Sequence, residues 1–109
     1  MTLTMWCGDL DAQLSPKACI DSWRVESGFT IEAFAAEPDV VNPIAMAFDA
    51  RGRLWVVNSV EYPIGAALGE PGRDTIRIYE DTDRDGRADK VVTFADGLNI
   101  PTGIALGHG

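Results

Sequence analysis

Histidine is almost missing from this chain. The single one, His108, stands next to the last residue and reads as a terminal position, so no Ser-His-Asp arrangement can be assembled from it. Cysteine is scarce too. Cys7 and Cys19 are the only two; their spacing is neither CxxC nor a metal pattern, and with one histidine they cannot furnish a zinc site. Two cysteines do not define a disulfide framework, which leaves a single bridge and two free thiols both open. Basic residues are few: 9 Lys and Arg against 17 Asp and Glu give a net charge of −8. The deficit is even, with eight acids against four bases in residues 1–60 and nine against five in 61–109. No basic patch exists, which argues against nucleic acid and anionic membrane as partners. No apolar run approaches the roughly 20 residues that cross a bilayer, so no transmembrane segment is expected. Residues 1–7 carry no basic n-region and Asp9 interrupts them, so no signal peptide is visible, and Trp6 before Cys7 does not suit a lipoprotein cleavage site. Gly65, Gly69 and Gly72 lack the Lys-Ser/Thr of a phosphate loop.

What the chain does have is the composition of a globular protein, 46% hydrophobic and 24% charged, and at 109 residues it holds one domain at most. Ser15-Pro16 reads as a helix start, with Ser as cap and Pro at the first helical position. The helix should end near Arg24, with Cys19, Ile20 and Trp23 on one face. Beyond it the pattern turns to strands: a candidate edge strand at 29–34, short apolar strands at 45–48 and 54–58, a period-two alternation at 75–80, and a β-branched stretch at 90–95. Residues 49–53 form a turn, and 59–74, with three glycines and two prolines, a long loop. Glu61 and Tyr62 follow the second strand and read as a solvated loop or as the rim of a substrate mouth. Arg77 is expected to be structural and Trp55 to pack in the core.

The densest chemical signal is Asp81-Thr82-Asp83-Arg84-Asp85-Gly86-Arg87-Ala88-Asp89. Carboxylates at loop positions 1, 3, 5 and 9, a glycine at 6 and a backbone carbonyl at 7 match the spacing by which a short loop wraps oxygens around Ca²⁺. The expected ligands are the side chains of Asp81, Asp83, Asp85 and Asp89 and the carbonyl of Arg87. Position 12 is Val92, where an EF-hand carries a bidentate Glu, and a strand follows instead of a helix. Such a loop should bind calcium weakly, at about 10⁻⁴–10⁻³ M. The plain alternative is an acidic hairpin turn, since Asp and Gly are ordinary turn residues.

Residues 43–48, Pro-Ile-Ala-Met-Ala-Phe, recur as Pro-Thr-Gly-Ile-Ala-Leu at 101–106, an offset of 58 residues. Four strands per period is the pattern of a propeller blade, the loop at 59–74 accounting for the extra length. The expected fold is all-β: the first blade, four antiparallel strands, and the start of a second blade, preceded by a short helix. A blade cannot bury its faces alone, so the chain reads as the opening of a larger protein, inactive by itself and poorly soluble.

The runs Val25-Glu26-Ser27-Gly28-Phe29, Ala35-Ala36-Glu37-Pro38, Asn42-Pro43-Ile44-Ala45-Met46-Ala47-Phe48-Asp49 and Gly52-Arg53-Leu54-Trp55-Val56-Val57 appear in that order. They are followed by Glu61-Tyr62-Pro63, the acidic loop and Phe94-Ala95-Asp96-Gly97-Leu98-Asn99-Ile100-Pro101-Thr102-Gly103. Together they resemble the N-terminal part of the propeller proteins of planctomycetes and related bacteria called membrane-bound dehydrogenase-domain proteins, and more distantly the soluble quinoprotein glucose and sorbosone dehydrogenases. The resemblance spans about residues 13–107 and leaves 1–12 unassigned, so 13–109 is taken as the N-terminal part of a propeller domain. It implies a six-bladed propeller, calcium, pyrroloquinoline quinone in the full-length protein, a sugar or alcohol substrate, the remaining blades as partners, and a periplasmic or extracellular location. Two functions follow: part of a quinoprotein-type sugar or alcohol dehydrogenase, or a calcium-stabilised non-catalytic propeller that binds carbohydrate or protein. Fold alone does not choose between them.

Overall fold

The structure, a computed structural model, describes residues 14–107, so Cys7 and His108 lie outside the described residues. Two units are distinguished, meeting between Ala33 and Phe34. In the first, Ser15 caps α1 (Pro16–Asp21): its Oγ accepts the Ala18 backbone N–H at 3.2 Å, and Pro16 occupies the first turn, where no N–H is needed. The helix stops before Arg24 because Ser22 closes it, its hydroxyl donating to the Cys19 carbonyl at 2.7 Å. Trp23 falls beyond the helix and is 60% exposed, so the expected apolar face is shorter than its sequence spacing suggests. Cys19 is half-buried and has no disulfide partner among the described residues.

The second unit is one sheet of four strands in the order β1 (Pro43–Phe48), β2 (Leu54–Asn58), β3 (Asp74–Glu80), β4 (Lys90–Leu98), each antiparallel to the next. Three expectations need correction. Residues 29–34 form no strand: β-propensity alone does not make one without a ladder partner, and Phe29 instead closes a turn onto the Glu26 carbonyl next to Gly28 at φ +93°. Residues 101–106, the echo of β1, are irregular, and among the described residues no strand pairs with them. β4 runs to Leu98 through Asp96 and Gly97, because irregularities in the β3–β4 ladder at Asp74/Ile76 and Ile76/Arg77 let Leu98 pair with Asp74.

Side chains alternate across the sheet. On one face Leu54, Val56 and Tyr79 form the buried cluster, covered by Phe34, Ala35, Val40 and Ala88. The covering segment is held by hydrogen bonds as well as by contact: Tyr79 Oη donates to the Asp39 carbonyl at 2.6 Å, and the Val41 N–H donates to Asn58 Oδ1 at 3.0 Å. Arg77 is structural in the same way, its Nη1 donating to the Asp39 carbonyl at 2.9 Å. On the other face Trp55 meets Phe94 edge-on at 4.8 Å between ring centroids, and its indole N–H donates to Asp49 Oδ2 at 3.0 Å. Trp55 is therefore half-buried with a polar tether, not sealed in a core. Large apolar side chains remain in solvent on both faces: Met46 and Phe48 are 70% and 67% exposed on the first, Phe94 62% on the second.

The connections set up two ends of the sheet. Links 49–53 and 81–89 lie at one end, link 59–73 and the exit of β4 at the other. The short link is organised by Asp49, whose Oδ1 accepts the N–H groups of Arg51 and Arg53 and whose Oδ2 accepts Arg53 Nε at 2.7 Å.

Candidate metal centre

At the end of the sheet that holds the hairpin between β3 and β4, the loop brings carboxylate oxygens of Asp81, Asp83 and Asp89 within 4.8 Å of one another. Arg84 at φ +62° and Gly86 at φ +88° supply the left-handed backbone that folds the loop inward. The loop's own N–H groups hold the acids in place. Asp81 accepts from Asp85 N and Gly86 N, and Asp89 accepts from the Thr82 amide, the Thr82 hydroxyl and Asp83 N. Ala88 N donates to the Phe34 carbonyl at 2.8 Å, which fastens the loop to the segment covering the core.

Not all of the expected ligands converge. Asp85 stands outside the trio and makes a local turn, its Oδ1 accepting the Arg87 N–H at 2.8 Å. Val92, at loop position 12, pairs with Ile78 across the ladder and offers no side-chain oxygen. The remaining donor set is hard carboxylate oxygen on a compact loop, which suits Ca²⁺ better than a softer metal.

The electrostatics record the crowding. The Thr82 hydroxyl and N–H hold the Asp89 carboxyl below its usual range. At Asp83 the Asp85 N–H acts to lower the carboxyl, but desolvation and the neighbouring Asp85, Asp81 and Asp89 carboxyls outweigh it and push it up. One site residue is held high and another low within a few ångströms, as expected where like charges share a small volume.

At the opposite end lies a feature the sequence reading did not single out. Asp74, fully buried at the start of β3, accepts four hydrogen bonds. Oδ1 takes Val60 N at 2.7 Å and Glu61 N at 2.9 Å; Oδ2 takes Ser59 Oγ at 2.9 Å and Ile100 N at 2.7 Å. Burial acts to raise this carboxyl, but the Glu61 and Ile100 N–H groups, the Ser59 hydroxyl and the Val60 N–H outweigh it and hold it below the usual range. Beside it Glu61, expected with Tyr62 in a solvated loop or at a substrate mouth, is instead buried while Tyr62 stays exposed, and its carboxylate accepts both Nε and the backbone N–H of Arg73, at 2.8 and 3.1 Å. The available signal was weak: acids and a base bracketing a long loop at 61, 73 and 74.

These shifts fix the sign of the acid response. Asp49, Asp74 and Asp89 are all held low, Asp49 chiefly by the Trp55 indole N–H. Their contribution to stability is complete above the unfolded value near 3.8 and is lost as pH falls through the lower folded values. Asp83 has the opposite sign and partly offsets them as it protonates. Thermal melts in chelator should therefore stay level above about pH 5 and drop steeply below pH 4. Asp49→Asn should flatten that drop.

A four-stranded antiparallel unit with an acidic loop at one end and a buried carboxylate at the other is the class of protein that these features define. The family described as Domain of unknown function (DUF7133) matches residues 15–109, and the chain belongs to it. No curated protein and no solved structure matches the chain. Among the described residues, no helix is long and apolar enough to cross a membrane.

Proposed function

We propose that the sheet is one blade of a β-propeller of the membrane-bound dehydrogenase-domain type, and that its 81–89 loop holds Ca²⁺ in a structural role. The observation that carries this reading is the pairing of a complete four-strand meander with large apolar side chains exposed on both of its faces. A sheet that leaves Met46 and Phe48 in water on one side and Phe94 on the other is suited to packing between two neighbours. The ordered motifs of the sequence support the same reading.

Calcium would cancel the repulsion among Asp81, Asp83 and Asp89 and brace the hairpin that joins β3 to β4. The activity proposed for a complete protein is oxidation of a sugar or alcohol, in a periplasmic or extracellular setting. Two concavities formed by described residues fit pyrroloquinoline quinone poorly. Each presents one arginine already paired with a carboxylate, Arg53 with Asp49 and Arg73 with Glu61, a poor match for a cofactor bearing three acid groups.

Calorimetric titration with Ca²⁺ tests the reading. Binding at about 10⁻⁴–10⁻³ M is expected, with a rise in melting temperature. Asp83→Asn should abolish the calcium response and raise the melting temperature of the calcium-free protein, because it removes one of the crowded charges. Asp85→Ala, outside the trio, should weaken binding less, and Asp96→Ala, in exposed β4, should leave it unchanged. Equal binding by all variants, or none at millimolar calcium, would reduce the loop to an acidic turn.

A further inference from the structure

Residues 59–73 run for 15 residues without helix or strand, a length that in compact domains is usually functional or disordered. This segment is pinned along its length. Asp74 holds Ser59, Val60 and Glu61. Asn99 Oδ1 accepts the Ala66 N–H at 3.0 Å. Gly72 lies so close to β4 that a Cβ there would come within 1.8 Å of the Leu98 carbonyl oxygen. The fastened loop walls a concavity of about 420 Å³, lined by Glu61, Ala66, Ala67, Glu70, Pro71 and Arg73 and within the size range of small-molecule sites.

The polar groups in it are half used. Glu61 Oε1 takes both hydrogen bonds from Arg73, and Oε2 has no protein partner among the described residues. Arg73 commits Nε and leaves both terminal Nη groups without one, on a side chain 73% exposed. An open carboxylate acceptor therefore sits beside an open fork of donors, with Ala66, Ala67 and Pro71 as an apolar wall. Charge decides the ligand class. Glu61 and Arg73 cancel, and Glu70 leaves the site net negative, which disfavours an anion on Arg73. A neutral vicinal diol both accepts from the guanidinium and donates to the carboxylate, and its C–H face suits the apolar wall.

We propose that the concavity between Glu61 and Arg73 is a binding subsite for a neutral polyol or sugar. The assignment deepens the reading that this protein handles sugars or alcohols. It is separable from the calcium loop, which lies at the other end of the sheet. The test is titration of the ¹⁵N-labelled complete protein with D-glucose, D-sorbitol and inorganic phosphate, following the amide resonances of residues 61–73. Saturable shifts are expected with glucose or sorbitol at millimolar concentration and none with phosphate. Arg73→Lys keeps the ion pair but loses the fork, and should weaken binding about tenfold at an unchanged melting temperature. Ala67→Trp, at a lining position that is not itself part of the ion pair, fills the concavity and should abolish binding. Absence of saturable shifts with either polyol, a preference for phosphate, or undiminished binding by Ala67→Trp would each overturn the proposal. If calcium fails to bind while glucose or sorbitol does, the metal reading falls and the subsite stands; the reverse outcome removes only the subsite.

Discussion

Asp74→Ala is expected to cost on the order of 3–5 kcal/mol, most of the stability of a small domain. The substitution removes the common acceptor of four donors: Ser59 Oγ and the backbone N–H groups of Val60, Glu61 and Ile100. Asp74 is fully buried, so water does not replace it without opening the structure, and each buried donor left unpaired costs about 1–3 kcal/mol. The damage should reach two places far apart in sequence, the start of the 59–73 loop and the exit of β4. Asp74→Asn keeps the shape but turns an amide N–H₂ toward donors, so it should fall between wild type and alanine. Urea midpoints for the three proteins, measured at neutral pH, check the order. A midpoint for Asp74→Ala within error of wild type would show that the four hydrogen bonds do not hold the loop.

Gly72→Ala should be nearly as damaging for a steric reason. The added methyl would lie 1.8 Å from the Leu98 carbonyl oxygen, 2.5 Å from its carbon and 3.0 Å from the Asn99 Cα, all main-chain atoms that cannot rotate away. Relief requires the 71–73 turn to lift off the end of β4, which strains the neighbouring Ile100–Asp74 hydrogen bond. Overpacking costs about 1–3 kcal/mol where side chains can yield, and the upper end is expected against rigid backbone. Gly103→Ala is the matched control: a Cβ there meets nothing within 4 Å, and its midpoint should not move. A small shift for Gly72→Ala, matching that of the control, would show that the loop and β4 separate readily.

Much of the secondary structure was legible because it rests on local chemistry. The Ser15-Pro16 cap placed the helix start, and strand patterning placed β2 and placed β3 to within one residue. The long end of β4 was hidden because Asp96 and Gly97 are turn formers that a ladder irregularity absorbs. Residues 29–34 misled for the converse reason, since propensity was present and a partner strand was not. The acidic loop announced itself through its spacing, although that spacing did not reveal that Asp85 would serve its own turn. The Asp74 hub was invisible because it depends on segments 13 to 26 residues apart converging on one carboxylate, a property of the closed chain and not of any window of sequence.

The meander has a consequence for how quickly the chain finds its structure. Every strand pairs with its immediate neighbour in sequence, and a hairpin with a link as short as 49–53 closes in about 1–10 μs. The tie from Tyr79 to the Asp39 carbonyl spans 40 residues and joins the covering segment to a strand inside the sheet. It carries the larger loop-closure entropy and is rewarded only once the ladders that present Tyr79 exist. The topology therefore predicts an order of assembly, with the sheet forming first and its lid of Phe34, Ala35 and Val40 settling onto Leu54, Val56 and Tyr79 afterwards.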